Sequence, residues 1–577
     1  MRRNEAWFIG LACAVGGIAG LCVAVLYNCA NLLHSWLFGA AHLSSLDAFS
    51  AKVDALVPMA GGLILGLSGI YVRRWVPRRP VDPIEANALH GGRMSVRDSA
   101  LIGAQTVISN GFGASVGLEA AYTQMGSGLA SWLGAAFKLR RSDMRTLVAC
   151  GSAGAISAAF GAPLTGAFYA FELILGTYNP FVLAPVGGAA VFGVLVSKGL
   201  GATSEFMSQI ALTPAPSRSD MGILLLLGVF CALFGILLMR AVSFAEGALA
   251  RMRLPRPLQP VLGGLAVGLL ALETPKVLAS GHGALAQLFA PGAATPDVIV
   301  LTLLLKAAAS VISLGTGFRG GLFFASLFLG GMAGQTYYFA IGHLDPILAP
   351  DLLVCTIIGM ASLAVAVIGT PLTMTFLALE TTGNFPLAAI MLAAASIVSI
   401  IVRRTFGYSF ATWRLHLRGE SIRSAQDVGW MRDLTVGRLM RSDVPLAPAD
   451  ITIGEFIEEF PARSTSQWVA LTDRYGCYAG IVFVPDVHLA GVHEDAGASG
   501  LSQLTRAHNV FLLPNMNIKS AAQIFEQTET EALAVLNSAK ERHVIGLLTE
   551  AHVLRRYTDE LDKAHRDLAG ESWIARV

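Results

Sequence analysis

Two stretches of this chain, AAFGAPLTGAFYAFEL at residues 158–173 and AVIGTPLTMTFLALET at residues 366–381, share Gly, Pro-Leu-Thr, Phe, Ala and Glu in register. Pro163 falls on Pro371 and Glu172 on Glu380, both at a spacing of 208 residues. Each stretch puts a proline inside an apolar run, where a helix must break or begin. Upstream, GASVGLEA (113–120) aligns with GFRGGLFF (317–324), Gly117 on Gly321 and Glu119 on Phe323. Two halves with breaks at matching places exclude a bundle of uniform spanning helices. Broken apolar segments are tolerated at membrane depth only where they line a cavity or are buried in protein. The pattern predicts an all-α polytopic membrane body built from two inverted repeats, with the binding site where the halves meet.

Composition supports a membrane setting. Of 577 residues, 54% are hydrophobic and 14% charged, and the mean hydropathy is +0.60, whereas soluble domains average about 25% charged. Apolar stretches near 7–33, 55–72, 183–200, 221–241, 296–316 and 385–402 are long enough to span. Those near 98–112, 119–136, 146–175, 258–272, 321–341 and 352–380 are shorter or punctured by Gly and Pro. The first run is too long for a signal-peptide core and reads as a membrane helix. Basic clusters at Arg73–Arg74, Arg78–Arg79, Lys138–Arg141, Arg251–Arg256 and Arg403–Arg404 read as cytoplasmic flanks. They predict a multi-pass protein of the plasma (inner) membrane, with the N-terminus and tail in the cytoplasm.

The chain changes character near its end, where 21 of its 39 acidic residues follow position 420. A membrane domain over 1–420, a linker over 421–433 and a soluble α/β tail are expected. Short β-like runs (QWVAL, AGIVFV, ALAVLN, HVIGLL) alternate with helical patterns in the tail. They divide it into two similar halves, 434–503 and 504–565, before a terminal segment at 566–577. A net charge of +2 with no basic tract gives no sign of nucleic-acid binding. Seven Cys and 12 His lack metal-ligand spacing, so no metal is assigned. No nucleophile–base constellation appears, and the chain is not read as an enzyme.

A Gly-rich loop entering a helix presents free N–H groups and the positive end of the helix dipole. SNGFGASVGLEAAYTQ and SLGTGFRGGLFFASL both have that form. Nose to nose, they would hold an anion by partial charges, without the trap of fixed Lys or Arg. Glu119 then sits where an anion wants to be: ionised it competes, and protonated or swung out it vacates the path. Charge at the bilayer centre costs about 2.5–3.5 kcal/mol on insertion scales, which favours this reading over simple helix capping. Glu172 and Glu380 are read first as structural groups at helix ends, with transport as the alternative. Lys306 is read as snorkelling or paired. Arg319 admits both anion attraction and a structural role.

These residues resemble the CLC family of chloride channels and anion/proton exchangers over nearly the whole chain, and the tail resembles the paired CBS domains many of them carry. Gly117-Leu118-Glu119-Ala120-Ala121 is similar to the family's Gly-x-Glu-Gly-Pro stretch, which makes Glu119 the gate. Gly321-Leu322-Phe323-Phe324-Ala325 is similar to Gly-x-Phe-x-Pro, which supplies further backbone amides. FGAPLTGAFYAFE, LLLKAAASVISLGTG and LETTGNF also look like CLC segments. The resemblance places Pro80, Gly117, Leu118, Ala120, Gly321, Leu322 and Phe323 along the anion path. It implies a homodimer with one path per subunit, and small-residue stretches such as GSGLASWLGAA permit close helix packing.

The departures are informative. Pro80 falls where the family has an anion-touching Ser, and proline offers neither hydroxyl nor N–H. Proline here is similar to nitrate-preferring relatives, so nitrate stands beside chloride as the expected anion. The family's inner proton-carrying Glu is Leu173 at the coupling position. The central Tyr falls on Ala411, with Tyr408 nearby. Passive, glutamate-gated conduction is therefore expected. A proton-coupled exchanger and a membrane sensor with little flux are the alternatives. In the tail each ribose-binding signature is half present, as Asp486 with Phe483 and as Thr549 with His552. An adenine nucleotide between the halves stands beside a purely structural or dimerising role.

Overall fold

The computed structural model describes residues 5–40, 52–75, 80–201, 220–252, 254–289, 295–407, 409–410, 412–413, 435–462, 467–492, 499–556 and 558–559. Two compact units emerge, residues 1–427 and 428–577. In the first, one series of helices runs α1 (Glu5–Phe38), α2 (Val57–Trp75), α3 (Pro83–Leu89), α4 (Val96–Gly111), α5 (Glu119–Ala136), α6 (Arg141–Phe160), α7 (Pro163–Tyr169) and α8 (Pro180–Gly199). A second runs α9 (Asp220–Arg251), α10 (Gln259–Ala271), α11 (His282–Gln287), α12 (Pro296–Gly315), α13 (Phe323–Leu344), α14 (Leu352–Ile368), α15 (Pro371–Thr382) and α16 (Phe385–Thr405). Among the described residues six helices, α1, α2, α8, α9, α12 and α16, are long and apolar enough to cross a membrane. They are the six uninterrupted stretches of the sequence.

The repeated motif is a helix break with a defined chemistry. α6 ends at Gly161 (φ 66°) and α14 at Gly369 (φ 85°), left-handed backbone that glycine adopts without steric cost. Two residues later Pro163 and Pro371 open α7 and α15, where a missing N–H loses no hydrogen bond. Beyond Tyr169 the chain widens into a π-helix, Ala170–Leu175, that carries Glu172 and Leu173.

The two halves then close each other. Glu172 accepts from the amides of Leu372 (2.9 Å) and Thr373 (2.9 Å) and from the Thr373 hydroxyl (2.7 Å). Glu380 accepts from the amides of Leu164 (2.7 Å) and Thr165 (2.8 Å) and from the Thr165 hydroxyl (2.7 Å). Each carboxylate therefore caps the N-terminus of the opposite half's proline-started helix. Between them Phe168 and Phe376 stack at 4.1 Å. Such reciprocity marks a local two-fold relation between the inverted repeats.

Glycine sets the closest packing. A Cβ on Gly126 of α5 or Gly151 of α6 would overlap the facing helix, and the same holds for Gly330 of α13 and Gly359 of α14. Gly128 packs on Ser99 in the same way. The small residues that open GSGLASWLGAA are thus engaged within the chain rather than free for a second copy. Of the two readings of Lys306, snorkelling or paired, the structure shows the paired one. The residue is fully buried, and its Nζ donates to the carbonyls of Val277 (3.0 Å), Leu278 (3.5 Å) and Ala279 (2.7 Å).

In the tail unit β1 (Leu446–Pro448) runs parallel to β2 (Trp468–Thr472), which pairs antiparallel with β3 (Tyr478–Phe483). β4 (Ala532–Leu536) and β5 (Val544–Thr549) form the second hairpin, and Leu512 bridges Val535 in parallel. Both halves thus read strand, helix, hairpin, with helices at Ile453–Glu459 and Ile518–Thr528. Packing crosses the sequence division, however. Val436 is buried in the second half's core, because Thr435 and Arg441 pair with Asn517 and Leu547, whereas Leu501 stays in the first half's core. The expected linker, 421–433, lies outside the described residues.

Candidate anion site at two facing helix termini

Helices α5 and α13 each begin immediately after a Gly-rich loop, and the two loops are joined. Gly117 N–H donates to the Gly321 carbonyl at 2.7 Å, and Gly321 N–H donates to Gly117 at 3.1 Å. This antiparallel bridge between the halves sets the helix N-termini face to face. Neither helix has a side-chain hydrogen bond at its N-cap, the position that Leu118 and Leu322 occupy just before the first helical residue. First-turn amides of a helix lack the carbonyl partners of its interior, although that of Ala121 bonds Leu118 O at 2.9 Å. The loops are braced from behind. Asn110 Nδ2 donates to Val116 O at 2.6 Å, Ser313 Oγ accepts from Ser115 N at 3.0 Å, and Ser109 Oγ accepts from Arg319 N at 3.0 Å.

Glu119, the first residue of α5, is 3% exposed. Its carboxylate faces the amides of Phe324 and of Glu119 itself. Neither carboxylate oxygen reaches hydrogen-bonding geometry with any described residue. A Cβ on Gly117 would strike Glu119 Oε2, so glycine there leaves the room the carboxylate occupies. A buried acid without a hydrogen bond is costly unless the surrounding field is positive. Two helix N-termini provide that field, and they would provide it equally to a free anion. The carboxylate thus occupies the position where that field would favour negative charge.

The other residues expected along the path lie as follows. Leu118 and Leu322 are buried, and Phe323 is 6% exposed with its ring 4.9 Å from Phe160. Ala120 is exposed and Gly321 partly so amid buried flanks, so accessible surface reaches the junction. Pro80 is half-buried at the start of a loop that Gln124 of α5 fastens through Val81 O at 2.9 Å. Leu173 lies in the π-helix and is buried in the apolar core. Tyr408 and Ala411 lie outside the described residues. Arg319 is exposed in the α12–α13 loop.

Sequence reasoning named Phe323 and passed over Phe324, whose amide faces the Glu119 carboxylate. The signal was present in the second helix position of α13, one of the unpaired first-turn amides. It also passed over His282, whose ring stacks on Phe324 at 3.5 Å. Among the described residues no group of His, Cys, Asp and Glu could hold a metal ion. In the tail, Asp486 is engaged by Arg506 at 2.6 Å.

Comparison with known proteins is consistent with this geometry. The family model for the voltage gated chloride channel matches residues 64–404, and a CBS domain model matches 501–559. A putative chloride channel protein, ClcB-like, from Ralstonia nicotianae is 31% identical over 390 residues, covering 65% of this chain and 89% of the relative. The voltage-gated ClC-type chloride channel ClcB of Escherichia coli is 30% identical over 399 residues, covering 68% and 95%. Among solved structures, a slow cyanobacterial Cl-/H+ antiporter superposes with a TM-score of 0.63 at 20% identity, covering 72% of this chain and 98% of its own. A CLC-type fluoride/proton antiporter gives 0.58 at 19% identity, covering 69% and 95%. A eukaryotic CLC transporter gives 0.61 at 16%, covering 94% and 97%. At these identities the structural matches speak for the fold.

Proposed function

Because the chain belongs to the CLC family of voltage gated chloride channels, and is thus a multi-pass membrane protein of anion transport, we propose that it conducts chloride or nitrate passively through the junction of α5 and α13, with Glu119 as a protonatable gate. The observation that carries this reading is the buried Glu119 carboxylate, held against two helix N-termini without a hydrogen bond. Protonation removes the charge that competes for the positive field, and the vacated position then accepts an anion. Leu173 supports conduction without coupling, since its side chain carries no proton. Pro80 supports nitrate beside chloride, since it offers no hydroxyl or amide to a bound anion.

Proton-coupled exchange is the second reading, and the names of two structural neighbours, a Cl-/H+ antiporter and a fluoride/proton antiporter, favour it. It needs a proton route that avoids Leu173. The protein would sit in the inner membrane as a homodimer with one path per subunit, its N-terminus and tail in the cytoplasm. We assign the tail a structural or dimerising role ahead of an adenine-nucleotide site, because Arg506 already occupies Asp486.

The test is purified protein in liposomes loaded with chloride or nitrate, with anion efflux and internal pH recorded together. Conduction predicts anion flux that rises as external pH falls, without stoichiometric proton movement. Proton movement locked to anion movement would establish exchange instead. Glu119→Gln should abolish the pH dependence, and a dependence left intact would sink the gating assignment.

A further inference from the structure

We propose that His282 is a positioning residue of the gate: stacked on Phe324, its ring holds the first turn of α13 in place against the Gly-rich loop that leads into α5. The proposal rests on the gate reading given above. His282 is the first residue of α11 and closes a tight turn, residues 277–282, between α10 and α11. That turn belongs to the second half of the chain, yet it is tied to both sides of the junction. The Ala279 N–H donates to the Gly113 carbonyl at 3.0 Å, in the Gly-rich loop of the first half. Ala279 also packs in one buried apolar cluster with Leu118, at the α5 N-cap, and Tyr122. Lys306 of α12 anchors the turn through Val277 O at 3.0 Å and Ala279 O at 2.7 Å.

On the other side the His282 imidazole lies over the Phe324 ring, with centroids 3.5 Å apart and planes 15° from parallel. Phe324 is buried and is the second residue of α13. Gly281, at φ 95°, lets Phe328 close on the same turn, since a Cβ there would lie 3.0 Å from that ring. The imidazole is itself fixed. Ser280 is fully buried, and its hydroxyl meets His282 Nδ1 at 2.5 Å. A buried hydroxyl proton needs an acceptor, so the O–H donates to Nδ1 and the ring proton sits on Nε2.

This brace answers a need of α13. The helix has no side-chain hydrogen bond at its N-cap, and helix ends fray unless tertiary contacts hold them. The Gly117–Gly321 bridge fixes the loop two residues before α13 begins. The stack on Phe324 fixes the first turn itself, and the field of a helix terminus acts only over that turn. The titratable and charged groups about the brace are Tyr27 of α1, its ring 6.0 Å from His282, Tyr122 of α5, Lys306 of α12 and, at the junction, Glu119. α13 presents the rings of Phe324 and Phe328.

Chloride efflux from liposomes carrying the full-length protein is recorded against external pH, with a thermal melt of each preparation. His282→Ala removes the stack, and His282→Phe restores a ring without nitrogen. A first turn of α13 that drifts from Glu119 weakens the positive field there, so proton-dependent opening moves to higher pH. The expected result is an efflux midpoint raised by about one pH unit in His282→Ala, the tenfold change that one donor to a charged group supports. His282→Phe should return the midpoint most of the way. In a Glu119→Gln background His282→Ala should leave the pH profile flat, which traces the effect to Glu119. A wild-type midpoint in folded His282→Ala would overturn the proposal. So would a midpoint raised equally in His282→Phe, which would assign the effect to the imidazole's own proton. If His282→Ala does not fold, Ser280→Ala carries the test, because it frees the ring to turn: a raised midpoint is expected, and an unchanged one overturns the proposal. Efflux of the unmutated protein that ignores pH, or pH dependence that survives in Glu119→Gln alone, means that the gate reading has failed, and this is seen before any His282 variant is made.

Discussion

Neutralising Glu172 or Glu380 separates scaffold from transport. Each carboxylate holds two amides and one hydroxyl at 2.7–2.9 Å. A hydrogen bond to a charged group contributes about 1.5 kcal/mol at the low end, so three sum to about 4.5 kcal/mol. Both side chains are partly exposed, and solvent screening reduces that figure by roughly half, to about 2 kcal/mol. Glu→Gln retains one acceptor oxygen but turns an NH₂ toward an amide N–H, so most of the loss should be realised. The reciprocal geometry makes a sharper prediction. Glu172→Gln and Glu380→Gln should cost the same, within about 0.5 kcal/mol, because each caps an equivalent helix. The assay is thermal unfolding of the purified protein, with anion flux normalised to folded protein. Equal destabilisation with unchanged flux per folded molecule is the expected outcome. If one variant lost flux while its stability matched the wild type, that glutamate would belong to the transport path and the scaffold assignment would be wrong.

Lys306→Met should lower folded yield sharply, by about 3 kcal/mol of stability, since buried carbonyls that Lys306 now satisfies are left bare; a normal yield would show that they find other donors. In the tail, burial together with Arg556, Arg555 and Arg441 holds the His552 imidazole below its usual range. The unfolded chain therefore binds more protons just below pH 6.5. Stability contributed by neutral His552 is present above that pH and lost as the pH falls through the lowered native value. Hydrogen exchange of the β4–β5 amides, corrected for intrinsic rates, should show opening that increases on acidification. His552→Gln should flatten that response, and an unaltered slope would place its origin elsewhere.

The spans and the Gly-rich loops were legible because their signals are local. Hydropathy over a window marks α1, α2, α8, α9, α12 and α16, and a glycine followed two positions later by proline marks the start of α7 and α15. The partner of each repeated motif was not legible. Pro-Leu-Thr and Glu are written within one half, yet Thr165 bonds Glu380 and Thr373 bonds Glu172 across the halves. Spacing within a segment says nothing about which distant amide a carboxylate will meet. Lys306 was legible only as snorkelling or paired, for a related reason. A lysine in an apolar helix reads as snorkelling, and only the fold brings the turn at Val277–Ala279 over its ammonium. The π-helix at Ala170–Leu175 leaves no trace in residue type, since its apolar residues suit an α-helix equally well. Glu119 was the clearest signal of all, a charge with no local reason to be there.

The bridge between Gly117 and Gly321 has a consequence for how the protein is made. The first of these residues leaves the ribosome long before the second, and the junction needs the loops that carry both. A chain released or stalled partway through synthesis holds α5 with its Glu119 but has no facing α13, and so lacks the bridge that sets the two helix termini face to face. The junction thus closes late in biogenesis, only after most of the membrane body is in place.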